Sequence, residues 1–293
     1  MSPDDGPKPT LIGLGAQKCA SSWLHAALGA HPAIAVSAPK EIDYFSYFFD
    51  RGHLWYQRHF AAFGDSAVRA EVSPSYFHDP RSPARLRAYD PEMRLVVLLR
   101  DPVERAFSNH LHEVIKGHIP PCPFEDGLAN NPAYLEQGQY AAHLSGWMEA
   151  FAPAQFLVMI AEDIARDPVR AAMQLYRFAG VDPDGPALVL TERRNESDRP
   201  RSAALRRLLR AQGALLRRAG LEETLARIKR LPGVSHTLRA NAVDLRREIP
   251  PMRAETRLRL SEVFAPQMVP LAQLIGRETL PWPTWRQAMG QVA

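Results

Sequence analysis

The sequence predicts an α/β protein: three layers, α/β/α, around a central parallel sheet. Three observations carry this. Arg94 to Arg100 (RLVVLLR) is a near-continuous apolar run, the pattern of a parallel strand buried on both faces. Other short apolar runs alternate along the chain with stretches of helical spacing, the order expected of strands linked by helices. Leu11 to Trp23 (LIGLGAQKCASSW) passes from an apolar strand through Gly15 and Ala16 into a helix start.

The elements follow in order. Leu11–Leu14 is the first strand, and Trp23, Leu24, Ala27 and Leu28 give its helix, ending near Gly29. Ala33–Val36 reads as a short strand, and His53–Phe63 has helical spacing. Ala67–Val72 is a strand, Pro83–Tyr89 a short helix, and Arg94–Arg100 the clearest strand. Pro102 suits the first turn of the next helix, with Asp101 as its cap. Gly117–Gly138, with its prolines, reads as loop, a lid or acceptor-binding segment. Tyr140–Phe151 is helical and Gln155–Ile160 a buried strand. Asp167–Ala179 is a helix with Pro168 at its first position and Gly180 after its end. A helix over Ala254–Ile275 precedes an aromatic tail with Trp282 and Trp285.

Composition sets the bounds. The 293 residues are 46% hydrophobic and 23% charged, enough apolar content for a sizeable core. Residues 1–9 read as a disordered polar tail without signal-peptide character, and 10–293 as one domain, more helical from about residue 196. The net charge of +4 and a pI of about 9.2 suit an anionic ligand. Cys19 and Cys122 lie far apart, so a structural disulfide is not expected and the chain reads as cytoplasmic. No apolar run reaches membrane-spanning length. Ser202–Arg218 sets leucines on one face and arginines on the other. The reading adopted is a solvated face on a packed helix. It carries no interleaved aromatics to stack bases, which argues against single-stranded nucleic acid, and no nucleic-acid partner is expected.

Three stretches carry chemistry. In the Gln17–Trp23 loop, helix N-terminal amides and the macrodipole favour an anion, Lys18 adds a full charge, and Ser21 and Ser22 add hydroxyls. The alternative is a helix capped by Ser21 with no ligand. The loop is not a Walker A motif, because Cys19 and Ala20 follow the lysine where a Ser or Thr would hold Mg²⁺. No metal is therefore expected. In PKEIDYFS, Glu41 and Asp43 sit among aromatics that either desolvate a carboxylate and make it a base, or pack in the core and leave the acid solvated. Arg100 at a strand end and Ser108 two helical turns on can converge on one anion; the alternative is an arginine ion pair beside an incidental serine.

In this order, Gln17–Trp23 and Arg94–Ser108 together resemble the sulfotransferase superfamily. PKEIDYFS, WYQRHFAAF, EVSPSYF, GQYAAHLSGWMEAF and FLVMIAEDI are similar to segments of its heparan-sulfate N- and 3-O-sulfotransferase branch. The resemblance covers roughly Thr10–Val181. It implies a P-loop-like sulfotransferase fold and transfer of a sulfuryl group from 3′-phosphoadenosine 5′-phosphosulfate (PAPS) to a hydroxyl or amine. It implies that Lys18, Cys19, Ala20, Ser21 and Ser22 hold the 5′-phosphosulfate, with Gln17 and Trp23 also at the cofactor, that Arg100 and Ser108 hold the 3′-phosphate, and that Glu41 is the general base, with Lys18 assisting. His143, in YAAHL, is a further candidate at the site, or else a core histidine. Ala20 stands where the family often has glycine, and Val72 where the heparan enzymes commonly carry lysine. The paired cysteines of the Golgi enzymes have no counterpart. A soluble bacterial-type enzyme fits, acting on a small molecule, glycan or natural product. The competing readings are a P-loop kinase or NTPase, which should require Mg²⁺, and a non-catalytic nucleotide-binding protein on the same fold.

Overall fold

The computed structural model describes residues 7–63, 68–183, 198–200, 242–244 and 249–290. The helix expected over Ser202–Arg218 lies outside them. The chain forms two compact units, one of residues 1–109, 128–194 and 252–293, the other of 110–127 and 195–251.

The first unit holds a five-stranded parallel sheet. Its strands are β1 (Leu11–Gly15), β2 (Ile34–Val36), β3 (Val68–Val72), β4 (Arg94–Leu99) and β5 (Phe156–Ile160), in the order β2-β3-β1-β4-β5. β1 sits in the middle, pairing Ile12 with Glu71 on one side and with Leu95 on the other. Leu11, Ile12 and Leu14, and Leu95 to Leu99, are fully buried. Apolar runs without alternation are what a sheet covered on both faces requires. The strand order changes direction beside β1, and ligands of such sheets bind where the carboxyl ends of the strands part.

The helices relevant to the site are α1 (Ser21–Ala30), α2 (His53–Gln57), α3 (Ser82–Tyr89) and α4 (Pro102–Lys116). They continue with α5 (Phe124–Asn130), α6 (Ala133–Glu136), α7 (Tyr140–Ala150), α8 (Ala161–Arg166) and α9 (Pro168–Ala179). The last two are α10 (Ala254–Leu274) and α11 (Pro283–Gly290). Asp167 caps α9 by accepting from Arg170 N at 2.9 Å, and Gly180, at φ 77°, ends it. Asp101 caps α4 through Val103 N at 2.9 Å and also accepts from Thr284 Oγ1 at 2.9 Å, tying α11 to the end of β4. Glu162 braces the same corner, accepting from Asp101 N and from Trp282 Nε1, both at 3.0 Å.

Three expectations change. The helix predicted over His53–Phe63 is α-helical only to Gln57 and continues as a 3-10 helix, Arg58–Phe63. Gly117–Gly138 contains α5 and α6 rather than loop alone, because Pro123 and Pro132 stand at helix starts, where a missing N–H costs nothing. Of the expected tail, Pro9 is buried and Lys8 Nζ lies 5.0 Å from the Tyr89 ring centroid.

In the second unit β6 (Asp198–Pro200) and β7 (Ala242–Asp244) pair antiparallel, and His110 Nε2 contacts Cys122 O at 2.9 Å.

Candidate active site

The loop between β1 and α1 is set by backbone conformation. Gly15 has φ 121°, and a Cβ there would stand 2.6 Å from Pro74 O, so the position admits only glycine. Lys18 and Ala20 take positive φ, 66° and 74°, on either side of Cys19. Cys19 N closes back on Ala16 O at 3.3 Å, and the helix ladder opens with Leu24 N to Ala20 O at 3.1 Å. The first amides of α1 therefore stand ahead of the ladder, as an anion site requires. Ser21 is not the cap: Ala20 occupies that position, without a side-chain cap bond, and Ser21 begins the helix. Cys19 turns inward. It is fully buried, its Sγ is 3.6 Å from Tyr140 Oη, and burial pushes its thiol up to about 11. Its thiol stays protonated and inside, and its amide closes the turn on Ala16. Gln17, Ser22 and Trp23 are half-buried beside it.

Ala20 at φ 74°, ψ 26° is the least comfortable residue of this loop. A left-handed alanine costs about 1–2 kcal/mol, partly offset by the entropy glycine loses on folding. Ala20→Gly is thus expected to raise Tm by about 1–3 °C. A lower Tm in thermal denaturation would mean the methyl group makes a compensating contact.

The acid segment lies against this loop. Lys40 Nζ donates to Ser21 Oγ at 3.4 Å and to Glu41 Oε1 at 2.7 Å, joining the start of α1 to the Glu41 carboxylate. Of the two readings of this segment, the solvated acid holds for Glu41, and the expected desolvation by its neighbours does not. Glu41 is not desolvated by its neighbours: its side chain is 40% exposed, while Ile42, Tyr44 and Phe45 turn into the core. Burial falls instead on Asp43, whose carboxyl it pushes up, against the opposing bond from Ser75 Oγ at 2.5 Å. Glu41 and Asp43 both take left-handed backbone, φ 64° and 53°. The turn is held from the segment that follows β3: Asp43 N donates to Ser73 Oγ at 3.0 Å and Tyr44 N to Tyr76 Oη at 2.7 Å.

At the end of β4, Arg100 is half-exposed, with Glu104 Oε2 4.0 Å away. Glu104 is also engaged by Arg257. Ser108 is half-exposed two turns along α4. Arg105, on the same helix, is fully buried; it donates to Gln137 Oε1 at 3.1 Å and to Tyr134 O. Among the described residues it has no carboxylate ion pair, so its charge adds to the positive field felt by Cys19 in the loop. His143 is not brought to Glu41. Its ring faces Phe77, with centroids 5.7 Å apart, and its Nε2 meets Glu136 O at 2.8 Å.

Sequence reasoning passed over Lys40, although it stands in PKEIDYFS, and also Arg105 and Ser75. Among the described residues no group of His, Cys, Asp and Glu is arranged to hold a metal ion. No described helix is long and apolar enough to cross a membrane.

A left-handed loop ahead of a helix, cations at two strand ends and an exposed carboxylate are set together on a parallel α/β fold. Residues 8–199 match the sulfotransferase domain family, and the chain belongs to it. Human heparan sulfate glucosamine 3-O-sulfotransferase 3A1 is 31% identical over 191 residues, 61% of this chain and 46% of that protein. Mouse bifunctional heparan sulfate N-deacetylase/N-sulfotransferase 4 is 25% identical over 312 residues, 97% of this chain and 32% of its own. The chain thus spans less than half the length of these two curated relatives. The crystal structure of a sulfotransferase from Alicyclobacillus acidocaldarius superposes with a TM-score of 0.69 at 22% identity, covering 96% of this chain and 99% of that one, a likeness of fold.

Proposed function

We propose that the chain transfers the sulfuryl group of PAPS to a hydroxyl or amine, with Glu41 as general base and no metal. The observation that carries this is the Lys40 bridge, which sets the Glu41 carboxylate beside the phosphate-type loop. The α1 amides and Lys18 would hold the 5′-phosphosulfate and take up charge on the departing phosphate oxygen. Arg100 and Ser108 would hold the 3′-phosphate. The acceptor oxygen or nitrogen forms a bond to sulfur, the bond from sulfur to the phosphate oxygen breaks, and the acceptor's proton passes to Glu41. The bisphosphate leaves. Glu41 suits this role because it is reachable from solvent, whereas the Asp43 carboxylate is engaged by Ser75.

The test is nucleotide discrimination. Charge-assisted hydrogen bonds to a 3′-phosphate contribute roughly 1.5–3 kcal/mol each. Adenosine 3′,5′-bisphosphate should therefore bind at least about tenfold more tightly than AMP. Arg100→Ala should shrink the gap. Calorimetry giving equal affinities for the two nucleotides would overturn the assignment.

A further inference from the structure

A groove of about 610 Å³ lies between α3 and α7. Lys18, Glu41 and Arg100 do not line it. It exists because both helices face it with small residues: Ala84 and Ala88 on α3, Ala142, Gly146 and Ala150 on α7. Larger side chains at these positions would interdigitate and close it. Phe77 and Trp147 form apolar wall, and the indole Nε1 is already spent on Phe77 O at 3.1 Å.

The polar groups of the lining do not make an anion site. Burial, and next to it His143, pushes the His78 imidazole down to about 4, and burial also lowers His143, so both are neutral near pH 7. Asp79 is held by Arg81 at 2.7 Å. Arg87 lies over the Phe151 ring and donates to Pro91 O at 3.3 Å, and Glu149 adds a negative charge. The volume is that of a small-molecule site.

One loop joins the groove to the acid segment. Ser73 and Ser75 bond Asp43, Pro74 abuts Gly15, Phe77 N donates to Leu14 O at 3.0 Å, and the groove is lined from Phe77 to Pro80. Exposed Tyr47 feels both Asp43, in the acid segment, and Asp79, in the groove lining.

We propose that the groove is an acceptor subsite, and that the acceptor is an uncharged alcohol whose alkyl body lies between α3 and α7 while its hydroxyl reaches the acid segment. This rests on the sulfuryl-transfer reading above. The apolar walls bind the body, and the one cation of the lining, Arg87, is set against the two carboxylates Asp79 and Glu149 beside neutral imidazoles, a balance that does not favour a polyanion.

Gly146→Leu tests it. A Cβ at Gly146 meets no atom within 4 Å, so a larger side chain enters the groove without pushing on the fold. Removing glycine from the helix interior also favours the helix. With n-alkanols of increasing length, wild-type kcat/KM should rise about three- to fourfold per methylene until the groove is full. Gly146→Leu should flatten that series, leaving the ethanol rate and bisphosphate affinity unchanged. Ala84→Leu, from the opposite wall, should do the same. A flat wild-type series, or an unaltered series in both variants, overturns the proposal. Binding is also read without turnover, as displacement of the neutral fluorophore N-phenyl-1-naphthylamine by decanol. Displacement that both variants abolish supports the groove even if no alcohol is sulfated, and the failure then falls on the transfer reading. No displacement in the wild type overturns the groove alone.

Discussion

Glu41→Gln is expected to lower the single-turnover transfer rate by roughly 10²–10⁴, the range for loss of a general base. Bisphosphate affinity should stay nearly unchanged, because Lys18, Arg100 and the α1 amides are untouched. The substitution keeps size and hydrogen bonding and removes only the proton acceptor. Lys40, which bonds Glu41 at 2.7 Å, has Ser21 as its other partner at 3.4 Å. It therefore has the cradle to move towards when an acceptor displaces it from the carboxylate. Lys18→Ala should behave differently and impair nucleotide binding and turnover together. Asp43→Asn separates the rival acid. Asp43 accepts from Ser75 at 2.5 Å and its backbone is bonded to Ser73, so its loss should loosen the turn and cost less than loss of Glu41. Near-normal turnover in Glu41→Gln with a dead Asp43→Asn would move the base to Asp43. Activity in both would exclude both carboxylates as the base.

The sheet was legible because burial on both faces leaves an uninterrupted apolar signature. Arg94–Leu99 and Leu11–Gly15 end within a residue of where the sequence places them. The changes came where tertiary packing outweighs spacing. Tyr56 stacks on Tyr44 with centroids 4.6 Å apart, and Phe60 meets Tyr56 edge-on at 5.2 Å. The ladder tightens into a 3-10 helix between these two rings, a demand set by Tyr44 on a distant turn. Pro123 and Pro132 read as breaks, yet proline at a helix start and proline in a loop look alike without the turn that follows.

The site divides in the same way. Lys18, Ser21 and Glu41 stand in short motifs whose residue types announce their chemistry. What spacing cannot report is exposure. Ile42, Tyr44 and Phe45 flank Glu41 in sequence, but the left-handed backbone at Glu41 and Asp43 sends the acid outward and the rings inward. The Lys40–Ser21 and Ser75–Asp43 bonds join residues 19 and 32 apart, brought together only when β2, β3 and β1 pair.

Glu71 carries the other large expected effect. It sits in β3 opposite Ile12, is fully buried, and neither carboxyl oxygen has a partner in good hydrogen-bonding geometry among the described residues. Burial pushes its carboxyl up from 4.5 to about 8, and the hydroxyls of Tyr76, Tyr56 and Ser73 offset only part of that. Between those two values the folded chain binds a proton that the unfolded chain has released. Stability is therefore lost as pH rises through this window, and the slope vanishes above about pH 8. At about 1.4 kcal/mol per pH unit, the loss from pH 4.5 to pH 7 is on the order of 3 kcal/mol. Glu71→Gln keeps the shape and abolishes the titration. Relative to wild type it should gain stability steadily across that interval, a Tm difference growing by roughly 6–10 °C. Thermal denaturation of both proteins at pH 5, 7 and 8 measures it. The gain should reach the site as well, since Ser73 and Tyr76, the hydroxyls beside Glu71, accept from the amides of Asp43 and Tyr44. Parallel Tm curves for the two proteins would mean that Glu71 is ionised in the folded chain, with those hydroxyls donating their O–H to it while they accept from the amides.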